Sequence, residues 1–256
     1  MGAEKMDRNI RLLLQYDGGR YEGFAPAAKG PKGETIQGKL SEVLRKMTGE
    51  ETEVICAERT LAGEHALEQV VNFHTDTKMK CWEIKHYLNR YLPRDIAVDR
   101  VDDMPERFHS MYGARTKTCL YRVAVGDVPC VFDRKYNYYC FDRLDIDEMR
   151  TAAASLIGRH DFRSFNDLKR TSKSTVREIF EIKISEAGQE IHFEITADGY
   201  LNHMVRIIVG TLLEIGAGDR EAEEMAQILE SGDRKNAGQT LPAQGLFLKK
   251  VTYEEI

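Results

Sequence analysis

The residues that could carry chemistry in this chain are concentrated between Cys56 and Ala66, on a connector between two apolar segments that predict strands. This connector holds an arginine, a threonine, a glycine and a histidine: Arg59, Thr60, Gly63 and His65. Loops held by rigid strands commonly carry binding and catalytic residues. The centre of the connector is Leu61, whose alkyl side chain contains no acid, base or nucleophile. The alternative is a structural loop, with His65 and His109 as hydrogen-bonded scaffold residues and Leu61 as a core filler.

The composition is that of a globular protein with one large or two modest domains. The chain has 256 residues, of which 42% are hydrophobic and 31% charged, and a formal net charge of -5. That charge argues against a surface that is basic throughout, but phosphate binding needs only a local basic patch.

The spacings of the cysteines and histidines argue against a metal site and against a disulfide framework. The five cysteines form no C-x-x-C pair, and the seven histidines have no metal-ligand spacing. No apolar run approaches the length of about 20 residues that spans a bilayer. The polar first residues do not resemble a secretory signal, so we expect a cytoplasmic protein.

Hydrophobic periodicity predicts an alternation of strands and helices in the first half of the chain. The predicted order is strand, helix, strand, strand, helix, strand, over residues 10–16, 36–47, 52–57, 69–74, 79–91 and 96–101. Thr35 and Gly49 are the expected helix caps. The segment Ala25–Gly33 is either a plain surface loop or a mobile flap over a substrate.

The second half of the chain is also predicted to contain both strands and helices. The predicted elements are a long strand over 111–125, a helix from Asp145 to Ile157 ended by Gly158, a hairpin over 176–185 and 190–196, an apolar helix over 202–215, a helix from Asp219 to Glu230, and a strand over 246–253. We therefore expect an α+β protein with two similar αβ subdomains, covering residues 8–104 and 105–256.

Basic residues in the second half are candidates for phosphate contacts. They are Arg115, Lys117, Lys169, Arg170, Lys173 and Arg177. A solvated charged loop is an equally good interpretation of the last four. The aromatic residues between 126 and 142 could stack on bases, although packing explains them better.

Seven separated segments match one known family in order and spacing. They are Tyr16-Asp17-Gly18, Thr35-Ile36-Gln37, Cys56 to Ala66, Phe108-His109, Asp161-Phe162 with Ser164-Phe165, Met204-Val205-Arg206 with Val209-Gly210, and Gly245-Leu246-Phe247-Leu248. Over nearly its whole length the chain resembles the tRNA pseudouridine synthase A family. The resemblance implies mainly antiparallel sheets joined edge to edge around a central cleft, and a homodimer that binds tRNA. It also implies isomerisation of uridine to pseudouridine without cofactor or metal.

The family reaction requires a carboxylate that this chain lacks at the matching position. The enzyme flips the uridine out, breaks the bond from ribose C1′ to N1 and rejoins C1′ to C5. The family motif is G-R-T-D-A-G-V-H, and Leu61 occupies the position of its aspartate. Cys119 occupies the position of the tyrosine that contacts the target base. Phe24 and Ala25 stand where the family usually has G-W-Q.

Other site positions keep the family residue. The resemblance assigns base flipping to Arg59, pairing with the catalytic aspartate to Arg206, and a wall of the base pocket to Leu246, and it keeps His65. Glu58 and Glu64 are additions to the motif. We hypothesise that one of them neutralises Arg206 or Arg59, which solvent-directed side chains at both positions would contradict.

Three functions follow from these departures. The first is an RNA-binding protein without catalysis, which we favour. The second is an active synthase in which Glu58 or Glu64 replaces the aspartate, although a productive site tolerates displacement of only about 0.5 Å. The third is a protein-interaction scaffold that no longer binds RNA, because the added carboxylates would repel phosphate.

Overall fold

The computed structural model describes residues 7–26, 33–168 and 174–254. The chain forms two compact units, one comprising Met1–Arg115 with Leu248–Ile256 and the other Thr116–Phe247. The division into domains at residues 104 and 105 stays a prediction.

The first unit has the element order predicted from the sequence. Its elements are β1 (Arg8–Tyr16), α1 (Ile36–Thr48), β2 (Ile55–Cys56), β3 (His65–Thr75), α2 (Cys81–Tyr91) and β4 (Ile96–Met104). β1 lies between β3 and β4 and is antiparallel to both. The helices α1 and α2 contact each other, and α2 packs against β4.

Local sequence explains these elements. Alternate residues of β1, namely Ile10, Leu12 and Leu14, are fully buried, as period-two alternation requires. Thr35 caps α1 by accepting a hydrogen bond from the Gly38 amide at 3.1 Å. Gly49 ends the helix in the left-handed conformation, with φ of 82°.

The second unit is built on antiparallel strands and three helices. Its elements are β5 (Ala114–Ala124), β6 (Tyr138–Tyr139), α3 (Ile146–Ala154), β7 (Gly158–Asp161), β8 (Val176–Ala187), β9 (Glu190–Ala197), α4 (Met204–Gly216), α5 (Glu224–Ser231) and the first two residues of β10 (Leu246–Tyr253). β5 begins and β10 ends in the first unit. The order β5-β9-β8-β7 is antiparallel throughout, and β6 adds a short parallel pair to β5.

The helix α4 is the core of the second unit. All its residues except Arg206 and Glu214 are buried. This agrees with the apolar pattern, which predicted a buried helix with His203 and Arg206 as the exceptions, although His203 precedes the first residue of α4.

Several predicted boundaries were wrong, among them the start of β3, which lies at His65 and not at residue 69. The strand expected over 52–57 has only two paired residues. The helix α3 ends at Ala154, because the next amides bond three residues back in a tighter turn, and Gly158 instead begins β7. Asp219 does not cap α5, which begins at Glu224, since the Asp219 amide bonds to the carbonyl of Glu214.

The α+β class with mainly antiparallel pairing is confirmed. The edge-to-edge joining of two sheets around a cleft stays a prediction. Within the described residues, no helix has the length and apolarity needed to cross a membrane.

Candidate functional site

The 58–65 loop, defined as residues Glu58 to His65, connects β2 to β3 and is fastened by one buried side chain. The amide nitrogen of Gln69 donates to the Glu58 carbonyl at 2.7 Å, and its oxygen accepts from the Glu58 amide at 3.3 Å. Gln69 is fully buried. A buried amide that pairs with both backbone groups of one residue fixes the position where the loop leaves the sheet.

A hydroxyl pair continues this attachment inside the unit. The Tyr16 hydroxyl and Thr60 Oγ1 are 2.7 Å apart, and Gln69 also donates to the Tyr16 hydroxyl at 3.3 Å. Burial raises the pKa of the Tyr16 phenol well above its usual range, although the hydrogen bonds with Thr60 and Gln69 act in the opposite direction. Tyr16 is therefore neutral at physiological pH.

The backbone of the loop lies against a second segment that contains two essential glycines. Thr60 accepts a hydrogen bond from the Phe24 amide at 3.0 Å. A Cβ at Gly23 would lie 2.6 Å from the Thr60 carbonyl oxygen, and one at Gly18 only 1.8 Å from the Glu64 carbonyl oxygen. The Tyr16-Asp17-Gly18 motif therefore permits a backbone approach that no larger residue allows.

Leu61 and Glu64 form the turn at the tip of the loop. The Glu64 amide donates to the Leu61 carbonyl at 3.1 Å, and the Leu61 amide donates to Glu64 Oε2 at 2.7 Å. Glu64 is only 6% exposed, whereas Leu61 is half-buried. The loop thus holds a buried carboxylate next to the backbone of the residue that occupies the family aspartate position. Neutralisation of Arg206 or Arg59 by Glu64 stays a prediction, but Glu64 is not directed to solvent.

The other predicted loop residues have different environments. Arg59 is exposed, and its amide donates to Glu58 Oε1 at 3.2 Å. His65 is 1% exposed, and its Nδ1 accepts from the Gly18 amide at 3.1 Å and lies 3.1 Å from Asp17 Oδ1. The buried ring holds Gly18 against the loop, which is a structural role.

In the second unit, Arg206 is a half-buried side chain on the first turn of α4. Its Nε donates to the Leu241 carbonyl at 2.6 Å, and its own carbonyl accepts from the Leu241 amide at 3.4 Å. These two bonds fix the guanidinium relative to the segment that follows α5.

The start of α4 is held by a polar cluster that the sequence did not indicate. Asp167 accepts hydrogen bonds from His203 Nδ1, Arg234 Nε and Thr240 Oγ1 at 2.7, 2.7 and 2.8 Å. Burial alone would raise the pKa of Asp167, but these hydrogen bonds hold it below its usual value. His203 has φ of 61°, a left-handed conformation that surrounding contacts must enforce. The members are far apart in sequence, so no local pattern could have predicted the cluster.

Cys119 and Leu246 are both buried apolar positions. The Cys119 amide donates to the Tyr200 hydroxyl at 3.3 Å, and that hydroxyl lies 2.6 Å from the carbonyl oxygens of Lys117 and Ile195. Tyr200 therefore fastens the strand pair β5 and β9 beside the predicted base-contact position.

The predicted phosphate contacts differ in accessibility. Arg115 is exposed and forms an ion pair with Glu254, while Lys117 is only 9% exposed. Arg177 is half-buried and donates to the backbone carbonyls of Ser174 and Val176. Lys169, Arg170 and Lys173 lie outside the described residues. Their roles in RNA binding stay predictions.

Comparison with known proteins identifies related sequences. A family model described as tRNA pseudouridine synthase matches residues 13–113 and 152–254. The chain is 40% identical over 245 residues to tRNA pseudouridine synthase A 2 of Bacillus cereus (strain ATCC 10987 / NRS 248), covering 96% of this chain and 99% of that protein. It is 43% identical over 245 residues to tRNA pseudouridine synthase A of Bacillus sp. (strain KSM-64), with the same coverage.

Further matches agree with these. The chain is 42% identical over 246 residues to tRNA pseudouridine synthase A 1 of Clostridium tetani (strain Massachusetts / E88), covering 96% of this chain and all of that protein. Among solved structures, "Crystal Structure of a Cbf5-Nop10-Gar1 Complex" matches at 10% identity with a TM-score of 0.34, over 79% of this chain and 54% of that chain. That structural likeness is too remote to support an argument about this protein.

Proposed function

Because the chain belongs to the tRNA pseudouridine synthase A family, we propose that it binds tRNA or another structured RNA without isomerising its uridines. The observation that carries this proposal is the side chain at position 61. Leu61 lies on a loop that is held by hydrogen bonds with Gln69 and Tyr16, and it has an alkyl group where the family motif has a carboxylate.

The missing group is the centre of the family chemistry. Breaking the bond from C1′ to N1 needs a nucleophile at C1′ or a base that removes a proton. A leucine side chain can do neither at any pH. The buried Cys119, in place of the family tyrosine, removes a second group that would contact the base. We expect both changes to lower the rate of isomerisation.

Several features support retained RNA binding. Arg59 keeps its place in the motif and is exposed, so its guanidinium can reach a ligand. The relatives are named for action on tRNA. We also propose, from the family resemblance, that the protein is a cytoplasmic homodimer, which light scattering on the purified protein tests.

A second candidate function is supported by the position of Glu64. Its carboxylate is buried and lies 2.7 Å from the Leu61 amide, so a carboxylate is present near the family aspartate position. In this alternative the protein is an active synthase with a displaced catalytic group. Glu64 is three residues after position 61, so its carboxylate is attached to a different part of the backbone from the family aspartate. We therefore rank this alternative second.

One experiment separates these functions. The purified protein is incubated with unmodified tRNA transcripts, and the same samples are scored for pseudouridine formed and for tRNA retained at several salt concentrations. We expect salt-dependent retention without product, with the slope reporting the number of phosphate contacts. Product would overturn the proposal, and its loss in Glu64→Gln but not in Glu58→Gln would establish the second candidate. Neither product nor retention would leave a protein-interaction scaffold.

A further inference from the structure

The outer face of α2 presents an aromatic and basic surface that no sequence motif indicated. We define this face by Trp82, His86 and Arg90, which recur every four residues and therefore lie along one stripe of the helix. All three are exposed, and Trp82 is 65% exposed. An indole this accessible is unusual, because tryptophan is normally well buried.

The aromatic character extends beside this stripe. Arg90 lies over the ring of Tyr91, 5.9 Å from its centroid, and Tyr91 packs on Tyr87 with centroids 4.6 Å apart. Tyr91 is 54% exposed. Planar cationic and aromatic groups are thus arranged in contact with each other on an accessible surface.

The segment that carries this face has an excess of basic side chains, although the chain as a whole is acidic. Residues 78–94 contain five basic side chains, Lys78, Lys80, Lys85, Arg90 and Arg94, and one acidic side chain, Glu83. Glu83 accepts a hydrogen bond from the Lys80 amide at 2.7 Å and so serves to cap the helix. The whole chain has a net charge of -5. A local basic excess in an acidic protein indicates a polyanionic partner.

We propose that the outer face of α2 binds unpaired nucleotides of an RNA, with bases stacked on Trp82 and adjacent phosphates neutralised by Arg90 and its basic neighbours. An exposed indole can stack on a base only when that base is unpaired, and stacking is tolerant of sequence. The charge favours RNA over an apolar protein surface. This inference rests on the proposed function and deepens it, because it assigns RNA binding to an element outside the 58–65 loop.

Trp82 is the only tryptophan of the chain, so intrinsic indole fluorescence reports this face alone. The probes are a single-stranded oligouridine, a blunt RNA duplex with the same number of nucleotides, and an unmodified tRNA transcript. We expect the oligouridine and the tRNA to quench Trp82 fluorescence, and the duplex to quench it much less.

Variants then test each group by the anisotropy of labelled oligouridine. We expect Trp82→Ala to weaken binding about tenfold, with Trp82→Phe intermediate, because stacking contributes roughly 1–3 kcal/mol per base. Arg90→Glu should also weaken binding and lower the salt dependence, since one phosphate contact is lost. The matched control is Arg45→Glu, which makes the same charge change on the exposed face of α1 and should leave binding unchanged.

The outcomes separate this inference from the proposed function. Retention of tRNA with unchanged Trp82 fluorescence and full affinity of Trp82→Ala and Arg90→Glu would overturn this inference and leave the proposed function standing. A preference for duplex over single strand would also overturn it. Failure of the wild-type protein to retain any RNA would overturn both.

Discussion

The 58–65 loop and the outer face of α2 belong to the same compact unit and use their polar groups in opposite ways. Three buried side chains hold the loop: Glu64 lies within it, Gln69 on β3 and Tyr16 on β1, and they are hydrogen-bonded to the loop or to each other. On α2, Trp82 and Arg90 are exposed. The first arrangement stabilises a conformation, and the second offers groups to a partner.

This difference decides which measurement reports on each region. The 58–65 loop has Leu61 at the position where the family motif has an aspartate, and its polar groups bond within the protein. Its polar interactions therefore contribute to stability, and substitutions there should be measured mainly as a change in the free energy of unfolding. Substitutions on α2 should be measured mainly as a change in RNA affinity.

The largest expected effect is that of Gly18→Ala. Its Cβ would lie 1.8 Å from the Glu64 carbonyl oxygen, so the loop must move away from β1. We expect a loss of about 3 kcal/mol in the free energy of unfolding, measured by urea denaturation. The control is Gly199→Ala, whose Cβ would lie no closer than 3.8 Å to another group. Equal stability of the two variants would contradict the close packing of the loop.

The second prediction concerns the restored aspartate. Leu61→Asp adds a carboxylate beside the buried carboxylate of Glu64, and like charges at close range disfavour each other. We expect a loss of about 2 kcal/mol in the wild-type background and a much smaller loss in Glu64→Val, which carries the family residue. A double-mutant cycle by urea denaturation measures the coupling. Additive effects would mean that the two side chains do not interact.

The third prediction concerns Tyr16→Phe and its pH dependence. Removal of the hydroxyl takes a partner from Thr60 and Gln69 and should cost about 1 kcal/mol. The raised pKa of Tyr16 means that the unfolded phenol ionises first, so its contribution to stability is complete below pH 10 and declines above it.

We therefore expect alkaline unfolding above pH 10 to be less steep in Tyr16→Phe. The exposed Tyr91→Phe is the control and should leave the alkaline profile unchanged. A profile that is identical in the wild type and Tyr16→Phe would show that Tyr16 does not contribute to alkaline unfolding.

The smallest expected effect on stability is that of Trp82→Ala. An exposed side chain contributes little to folding, so the free energy of unfolding should change by less than about 0.5 kcal/mol. Urea denaturation of this variant measures its free energy of unfolding, and the anisotropy titration of the same variant measures its RNA affinity. A large loss of stability would mean that Trp82 is part of the fold and would remove the contrast with the loop.

Local patterns in the sequence predicted most of the elements. The apolar run of α4, the alternation of β1 and the caps of α1 are all properties of neighbouring residues, and each was found where it was expected. The end of α3 and the start of α5 were wrong because local backbone hydrogen bonds decide them. The amides of residues 155–157 bond three residues back, and the Asp219 amide bonds to the Glu214 carbonyl, neither of which follows a side-chain pattern.

The contacts that hold the 58–65 loop could not be predicted from the sequence. The family motif identified Leu61 and Arg59 from sequence alone. The hydrogen bond between Gln69 and Tyr16, and the close contact of Gly18 with the Glu64 backbone, depend on β1 and β3 being adjacent, which no local pattern encodes. The α2 face was not identified from the sequence, although the excess of basic residues in the segment that contains Trp82 was a usable signal.

The most direct test of the central claim is a single-turnover assay, with wild-type protein in excess over an unmodified tRNA transcript at a concentration where retention is complete. Under these conditions weak binding cannot account for a lack of product. We predict that the tRNA is bound and that its uridines remain unchanged when the RNA is digested and its nucleosides are separated. Pseudouridine in amounts comparable to the tRNA would contradict the claim that loss of the carboxylate at position 61 abolished catalysis.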